Sequence, residues 1–384
     1  MKILHVTTFF EPELGYEEFH TAKEQAKDGH EVHVICTNLR SDRNLRGQNK
    51  YLPAKKEIIS NINVHRLRCL PELKAEFVIP IGFNNTLRNI SPDIIHAHTA
   101  TQFTSWLAVR FSKKRKFPVM VDIHGLGWQK KEYLNLFEKF KFRINKIFDY
   151  FIKYTIHNAN KLIIKASPFE KELRRKYNVN KNKMILNEVG FDSDIFFKDE
   201  KVRSKTRTEY GISKSEKILI IFGFLRKHKR LDIILDVLEK LPIQFKLFIA
   251  GSLDNETQNN ENITKKMEAL SGRIIRINHF PQKKLNELLN ASDVTVWPAN
   301  VSVGLLQASA VGIPSIYPDW GYEIYPISKT TIHLSETQDL LEKIFYIFSS
   351  KTIYNIEQIK AIKYAETRSY AKKARELIDI YNTN

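Results

Sequence analysis

The feature that most constrains this chain is an alternation. Short β-branched and aliphatic runs keep returning between longer segments whose apolar residues recur at helical spacing. Ile3 to Thr7 reads as a buried strand, Glu17 to Asp28 as a helix stopped by Gly29, and Glu31 to Thr37 as the next strand, which together make a β-α-β unit. The pattern continues through Val64 to Arg68, Asp93 to His98, Val119 to His124 and Leu162 to Ala166, with Ser167 and Pro168 as N-cap and first residue of a following helix. Such alternation predicts an α/β fold with a parallel, doubly wound sheet, whose ligands bind beyond the carboxyl ends of its strands.

The stretch from Lys198 to Lys217 is dense in charge and poor in apolar residues, which puts a domain boundary close by. A second series follows: strands at Ile218 to Phe222, Lys246 to Gly251, Ile274 to Ile277 and Val294 to Trp297, with helices at Leu231 to Leu241 and Lys283 to Leu289. The expected organisation is therefore two Rossmann-like doubly wound domains, 1–195 and 196–384, facing across a cleft. The last stretch, Ile356 to Tyr381, reads as helical and either closes the second domain or crosses back to the first.

Composition narrows the class. A chain of 384 residues with 42% hydrophobic content is long enough for two cores. Two cysteines, Cys36 and Cys69, rule out a disulfide framework and fit a reducing compartment. The sequence opens on a strand instead of a signal peptide, and no apolar run is long enough to span a bilayer, so the expected location is the cytoplasm. The net charge of +18 has two readings of equal weight. One is a scatter of solvated lysines; the other is peripheral contact with the anionic inner face of a membrane. Nucleic acid ranks below both, because no zinc-finger spacing or stacking-aromatic motif accompanies the charge. Between Lys130 and His157, lysines interleave with Tyr133, Leu134, Phe137, Phe140, Ile144, Ile147, Phe148, Phe151 and Ile152. That pattern suits a core-packed helix first and a membrane-resting one second.

Several blocks, in order, carry a family resemblance. They are Ile3-Leu4-His5-Val6-Thr7 with Phe10-Glu11-Pro12 and Gly15; Gly29-His30-Glu31-Val32-His33-Val34; Pro92-Asp93-Ile94-Ile95-His96-Ala97-His98; and Val121-Asp122-Ile123-His124-Gly125. Asn160 to Ser167, Phe222 to Lys229, Ala250-Gly251-Ser252, Ala291-Ser292-Asp293-Val294 and Gln307 to Pro314 follow. Over nearly the whole length the chain resembles the retaining GT-B glycosyltransferases of family 4.

The resemblance implies a nucleotide-sugar donor, such as a UDP- or GDP-sugar, on the second domain and a glycan or lipid-linked acceptor on the first. It implies neither metal nor other cofactor. His124, at a strand end, matches the histidine that lies against the transferred sugar, and His96 and His98 line the acceptor side. Lys229 matches the family's lysine on the diphosphate; the family's arginine position is Phe224 here, so Arg226 stands in for it. Gly15, Gly223 and Gly251 give close backbone approach to the donor. Val303, Gly304 and Leu305 open a helix whose N–H groups suit a diphosphate. The family's two motif glutamates are Ala299 and Gln307 here; Gln307 can still bond a ribose hydroxyl, and Asn300 or Ser302 must serve for Ala299.

Without an evident protein nucleophile, retention suggests attack from the face of departure, with the leaving phosphate taking the acceptor's proton. Two rivals remain: a sugar-nucleotide epimerase on the same fold, and a catalytically silent binding subunit, which the loss of a glutamate at Ala299 favours.

Overall fold

The computed structural model describes residues 1–41, 50–71, 77–124, 148–278, 281–299, 301–319, 324–327, 331–332 and 337–383. The chain divides into two compact units, Met1–Val189 with Tyr370–Asn384, and Gly190–Ser369. The division falls a few residues before the boundary expected at 195, and the last helix groups with the first unit.

The first unit is built on an eight-stranded sheet in the order β3-β4-β2-β1-β5-β6-β7-β8. Its elements are β1 (Lys2–Val6), α1 (Glu17–Lys27), β2 (Glu31–Thr37), β3 (Lys56–Ile59), β4 (Ile62–Leu67), α2 (Phe83–Ile90), β5 (Ile94–Ala97), α3 (Phe103–Arg115), β6 (Val119–Ile123), α4 (148–158), β7 (Lys161–Ile164), α5 (Pro168–Tyr177) and β8 (Met184–Leu186). Every pairing is parallel except β3–β4. That hairpin turns at Ser60 and Asn61, both left-handed, with φ of 49° and 62°; two positive φ values match the right-handed twist of the strands they join.

The central strands are apolar on both faces because both are covered. One face of β1, β5, β6 and β7 packs against residues of α2, α3, α4 and α5, including Leu87, Val109, Ile152, Ile156 and Leu173. On the other, Ile3, Ile94, Met120 and Ile163 meet Leu377 and Tyr381 of the last helix. In the described part of the Phe-rich stretch, Ile152 and Ile156 are core residues and Phe151 packs edge-on against Phe103 and Trp106. Residues 125–147 of that stretch lie outside the described residues.

The second unit carries a six-stranded, all-parallel sheet, β11-β10-β9-β12-β13-β14. Its elements are α6 (Glu200–Glu209), β9 (Lys217–Phe222), α7 (Leu231–Lys240), β10 (Phe245–Ala250), α8 (Asn255–Gln258), α9 (Glu261–Ala269), β11 (Ile274–Ile277), α10 (Gln282–Ala291), β12 (Val294–Val296), α11 (Gly304–Val311), β13 (Ser315–Pro318), β14 (Thr331–Ile332), α12 (Thr337–Phe348) and α13 (Lys351–Glu366). The charge-dense stretch is largely α6. Asp199 caps it by accepting from the Lys201 and Val202 N–H groups, and Arg203 and Arg207 anchor it on Asp293 at 2.6 and 3.4 Å.

Two local expectations change. Ser167 occupies the N-cap place of α5 with a helical backbone and makes no side-chain cap bond, so Pro168 alone favours that start. The stretch from Ile356 to Tyr381 is two helices, α13 and α14 (Tyr370–Asn382). They part where the carbonyl of Arg368 accepts from the Phe191 N–H and Ser369 bridges Phe191. No described helix is long and apolar enough to cross a membrane.

Candidate functional site

In the second unit, the strand ends converge through glycines. Gly223 follows β9 and Gly251 follows β10, with φ of +99° and +125°. Their backbones touch: a Cβ on Gly251 would stand 2.0 Å from the Gly223 carbonyl oxygen. Only glycine accepts both the φ and the contact. The Gly223 N–H donates to Ala250 O and the Gly251 N–H to Ile277 O, so the turn is fixed by its neighbours' ladders.

The start of α11 presses equally closely. A Cβ on Gly304 would lie 2.5 Å from the Phe222 ring and 3.0 Å from the Trp297 indole, and these two rings meet edge to face at 5.0 Å. Lys229 Nζ sits 4.8 Å from the centre of the same indole, and the Cβ of any residue at 223 would be 3.8 Å from that nitrogen. The buried ammonium, Gly223 and the start of α11 are thus gathered on Trp297. Burial, then the charge of Arg226, bring the Lys229 pKa down to about 8. Arg226 itself is exposed, its guanidinium 5.1 Å from the Phe224 ring centre. Among the described residues no side chain caps α11 at Val303, and the Leu305 and Leu306 N–H groups donate to the Ser302 and Val303 carbonyls, each at 2.9 Å. Leu305 is buried, Ser302 is half-buried beside the helix start, and half-buried Gln307 lies one turn along. Ala299 is buried at 5% exposure, and Asn300 lies outside the described residues.

The first unit gathers polar side chains where the second gathers glycines. His5 of β1 and His96 of β5 are direct partners in the ladder; His98 follows two residues later, on the same face. His5 Nδ1 and His98 Nε2 share a 2.8 Å bond, His5 Nε2 bonds Gln25 Oε1 at 2.7 Å, and the Gln25 amide donates to Tyr381 Oη at 3.3 Å. Tyr381 returns to His96 Nδ1 at 2.5 Å. Asp122 of β6 closes the circuit: Oδ1 is 2.8 Å from His96 Nε2 and Oδ2 accepts from His98 Nδ1 at 2.9 Å. Among the described residues, His5, His96 and His98 are the one group close enough to share a metal ion. Five of their six nitrogens are hydrogen-bonded within this circuit, and the sixth, His96 Nε2, stands at ion-pair distance from Asp122 without a hydrogen bond.

Burial, then neighbouring His98 and His96, hold the His5 pKa well down; burial and His96 bring His98 to about 4. Against burial, His96 and Lys165 keep the Asp122 carboxyl well below the usual range. At the mouth of the circuit stands His124, with about a third of its side chain exposed (32%). Gly15 ends the short turn Pro12–Leu14 in a left-handed conformation, φ 66°, just before α1. That helix delivers Glu17 to the same mouth, 2.6 Å from Lys165 Nζ.

The structure therefore brings Gly223, Lys229, Gly251 and Gly304 together in the second unit, and His96, His98 and His124 together in the first. Sequence reasoning missed Trp297 and Phe222, and in the first unit His5, Glu17, Gln25, Asp122, Lys165 and Tyr381. For Asp122 a signal existed: a carboxylate inside an otherwise apolar strand, two residues before the strand-end histidine.

Residues 19–194 match the family model described as Glycosyltransferase Family 4, and residues 202–324 match the model described as Glycosyl transferases group 1. The chain belongs to glycosyltransferase family 4. Solved structures agree on its GT-B fold. HepE of Anabaena in complex with UDP is similar over 100% of both chains, with a TM-score of 0.75 at 14% identity. Sucrose-phosphate synthase of Thermosynechococcus elongatus has a TM-score of 0.72 at 15% identity, over 100% of this chain and 98% of that one. WaaG, a glycosyltransferase involved in lipopolysaccharide biosynthesis, has a TM-score of 0.69 at 13% identity over 100% of both chains. At these identities the likeness to the solved structures carries the fold of this glycosyltransferase and not its substrates. No protein of curated function matches the chain by sequence.

Proposed function

We propose that this glycosyltransferase moves a sugar from a nucleoside-diphosphate sugar, held by the second unit, to a glycan or lipid-linked acceptor, with retention of configuration. The observation that carries the donor half is the meeting of the Lys229 ammonium, Gly223 and the start of α11 on one indole. A diphosphate leaving group gains charge as the glycosidic bond breaks, and fixed donors with a buried cation stabilise that charge most where water is excluded. Arg226, exposed beside Lys229, adds a second cation. These protein groups supply the charge stabilisation, so the reaction is proposed to need no metal or other cofactor, and chelator is expected to leave the rate unchanged. HepE has been solved with UDP and with UDP-glucose, which makes UDP-sugars the first donors to test. The WaaG likeness and the basic Phe-rich stretch support an envelope glycan or lipid-linked acceptor reached from the cytoplasmic side.

His124 contacts the transferred sugar in this reading, and His96 and His98, fully buried behind it, support that wall without touching the acceptor. The retaining course rests on family likeness and on front-face attack, in which the leaving phosphate accepts the acceptor's proton. The test is UDP release from a panel of UDP- and GDP-sugars with acceptor extracts. Lys229→Ala is expected to lower kcat/KM about 100-fold or more, and an unchanged rate overturns the role of Lys229. Buried, apolar Ala299 favours a second reading, a subunit that binds donor without turnover. Calorimetric donor binding with no product from any extract selects it. Change of the sugar in donor alone, without acceptor, selects an epimerase instead.

A further inference from the structure

Four ionisable side chains at the carboxyl end of the first sheet close on themselves. Lys165, just past β7, has its Nζ 2.6 Å from Glu17 Oε1 and 3.2 Å from Asp122 Oδ1. His124 lies between the remaining oxygens of the same two carboxylates, Nδ1 3.8 Å from Glu17 Oε2 and Nε2 3.7 Å from Asp122 Oδ2. Read in order, the circuit is ammonium, carboxylate, imidazole, carboxylate. Two anions and one cation leave one negative charge uncompensated in a place where Asp122 and Lys165 are almost wholly buried. Both imidazole nitrogens lie at ion-pair distance from carboxylate oxygens, beyond hydrogen-bond length, so the ring sits in the field of two anions.

We propose that His124 is an imidazolium, the fourth member of an alternating ring of charges, and that Glu17, Asp122 and Lys165 are positioning residues that keep it cationic toward the substrate. His124 then serves as a hydrogen-bond donor and a positive charge, and is not a proton acceptor. The inference deepens the sugar contact given to His124 above and rests on that reading only for what the cation faces.

Three further observations support the ring. Asp122 is held from behind by the His98 Nδ1 hydrogen bond to Oδ2 at 2.9 Å, with His96 Nε2 at ion-pair distance, 2.8 Å, from Oδ1. Among the described residues, Glu17 Oε2 is buried without a hydrogen bond, so the oxygen turned toward His124 has no competing donor among them. Burial alone would lower the imidazole pKa, yet Asp122 and Glu17 outweigh it and the net shift is upward from 6.5; the same two carboxylates raise Lys165. Among the described residues, the titratable groups facing His124 are Glu17 and Glu18 from α1, Asp122 from β6 and Lys165 after β7. Glu18 is pushed up to about 7 by burial and so adds only part of a charge near neutrality.

The experiment is an NMR titration of the His124 imidazole in the full chain, without substrate. Wild type is expected to titrate above 6.5. Glu17→Gln is expected to lower that midpoint by about one pH unit or more, and Lys165→Met to raise it by a similar amount, since an opposite or like charge at this range shifts a pKa by roughly one to three units. Lys165→Arg keeps the charge and should restore the wild-type midpoint, which covers the case in which Lys165→Met does not fold. Opposite signs for the two charge removals support the ring. A wild-type midpoint below 6.5, or shifts of the same sign, overturns it. Because no turnover is measured, absence of UDP release from every donor would overturn the transfer reading while leaving this result standing.

Discussion

The two units build their polar sites in opposite ways. The second makes room by omitting side chains: Gly223, Gly251 and Gly304 let backbone approach backbone and aromatic ring, and a single buried lysine supplies charge. The first fills its sheet end with side chains that are costly to bury, His5, His96, His98, Asp122 and Lys165, and sets them against one another through hydrogen bonds and ion pairs. The contrast teaches where each should fail. A site made of absent atoms is vulnerable to added volume, whereas a site made of buried ions and imidazoles is vulnerable to a lost partner or to protons.

Removing the centre of the charged network should have the largest effect. Asp122→Ala leaves the Lys165 ammonium buried with one carboxylate and strips His96 and His98 of their acceptor. A loss of about 3–5 kcal/mol is expected, measured by hydrogen exchange of the first unit's central strands β1, β5 and β6; a loss below about 1 kcal/mol breaks the comparison. Added volume in the second unit comes next. Gly251→Ala puts a Cβ into the Gly223 carbonyl at a φ that L-residues avoid, and about 3 kcal/mol of destabilisation is expected. The same assay should show an intact first unit by hydrogen exchange.

Acid should separate the units. His98 titrates near 4 in the folded chain and near 6.5 unfolded, so the unfolded state takes up its proton first as pH falls. The associated stability is present above 6.5 and is lost as pH falls toward 4, amounting to roughly 3 kcal/mol. His5, also lowered, adds in the same direction. His124, raised, contributes in the opposite sense: its stabilisation is present below 6.5 and disappears as pH rises through its folded value. Hydrogen exchange at pH 7 and pH 5 is expected to show protection falling first in β1, β5 and β6. The smallest effect is on donor binding. Lys229 loses its proton near 8, so affinity for a diphosphate should weaken by up to about tenfold per pH unit above 8 and stay level below it.

The doubly wound sheets were legible because buried parallel strands are continuous apolar runs bounded by glycine or charge, as in Ile218 to Phe222. The hairpin β3–β4 was not, since its turn uses Ser60-Asn61 in place of a glycine pair, and β8 is only three residues long. Lys229 and Gly304 were legible from family spacing and do meet at Trp297, though the indole's part in that meeting has no sequence signal beyond a strand-end aromatic. The first unit's network was half legible. His96 and His98 announce one strand face, but Gln25, Lys165 and Tyr381 arrive from elements far apart in sequence, and no local spacing links them. His96 and His98, expected on the acceptor side, are both buried, at 0% and 2% exposure, and meet their neighbours through Asp122, His5 and Tyr381.

The central claim is that the second unit holds a diphosphate between Lys229 and the start of α11. Calorimetric titration with UDP and with uridine, on wild type and Lys229→Met at pH 7, tests it most directly. The account predicts that the substitution weakens UDP at least tenfold, about 1.4 kcal/mol, and leaves uridine unchanged. Equal UDP affinity in the two proteins, or an equal loss for uridine, would contradict it.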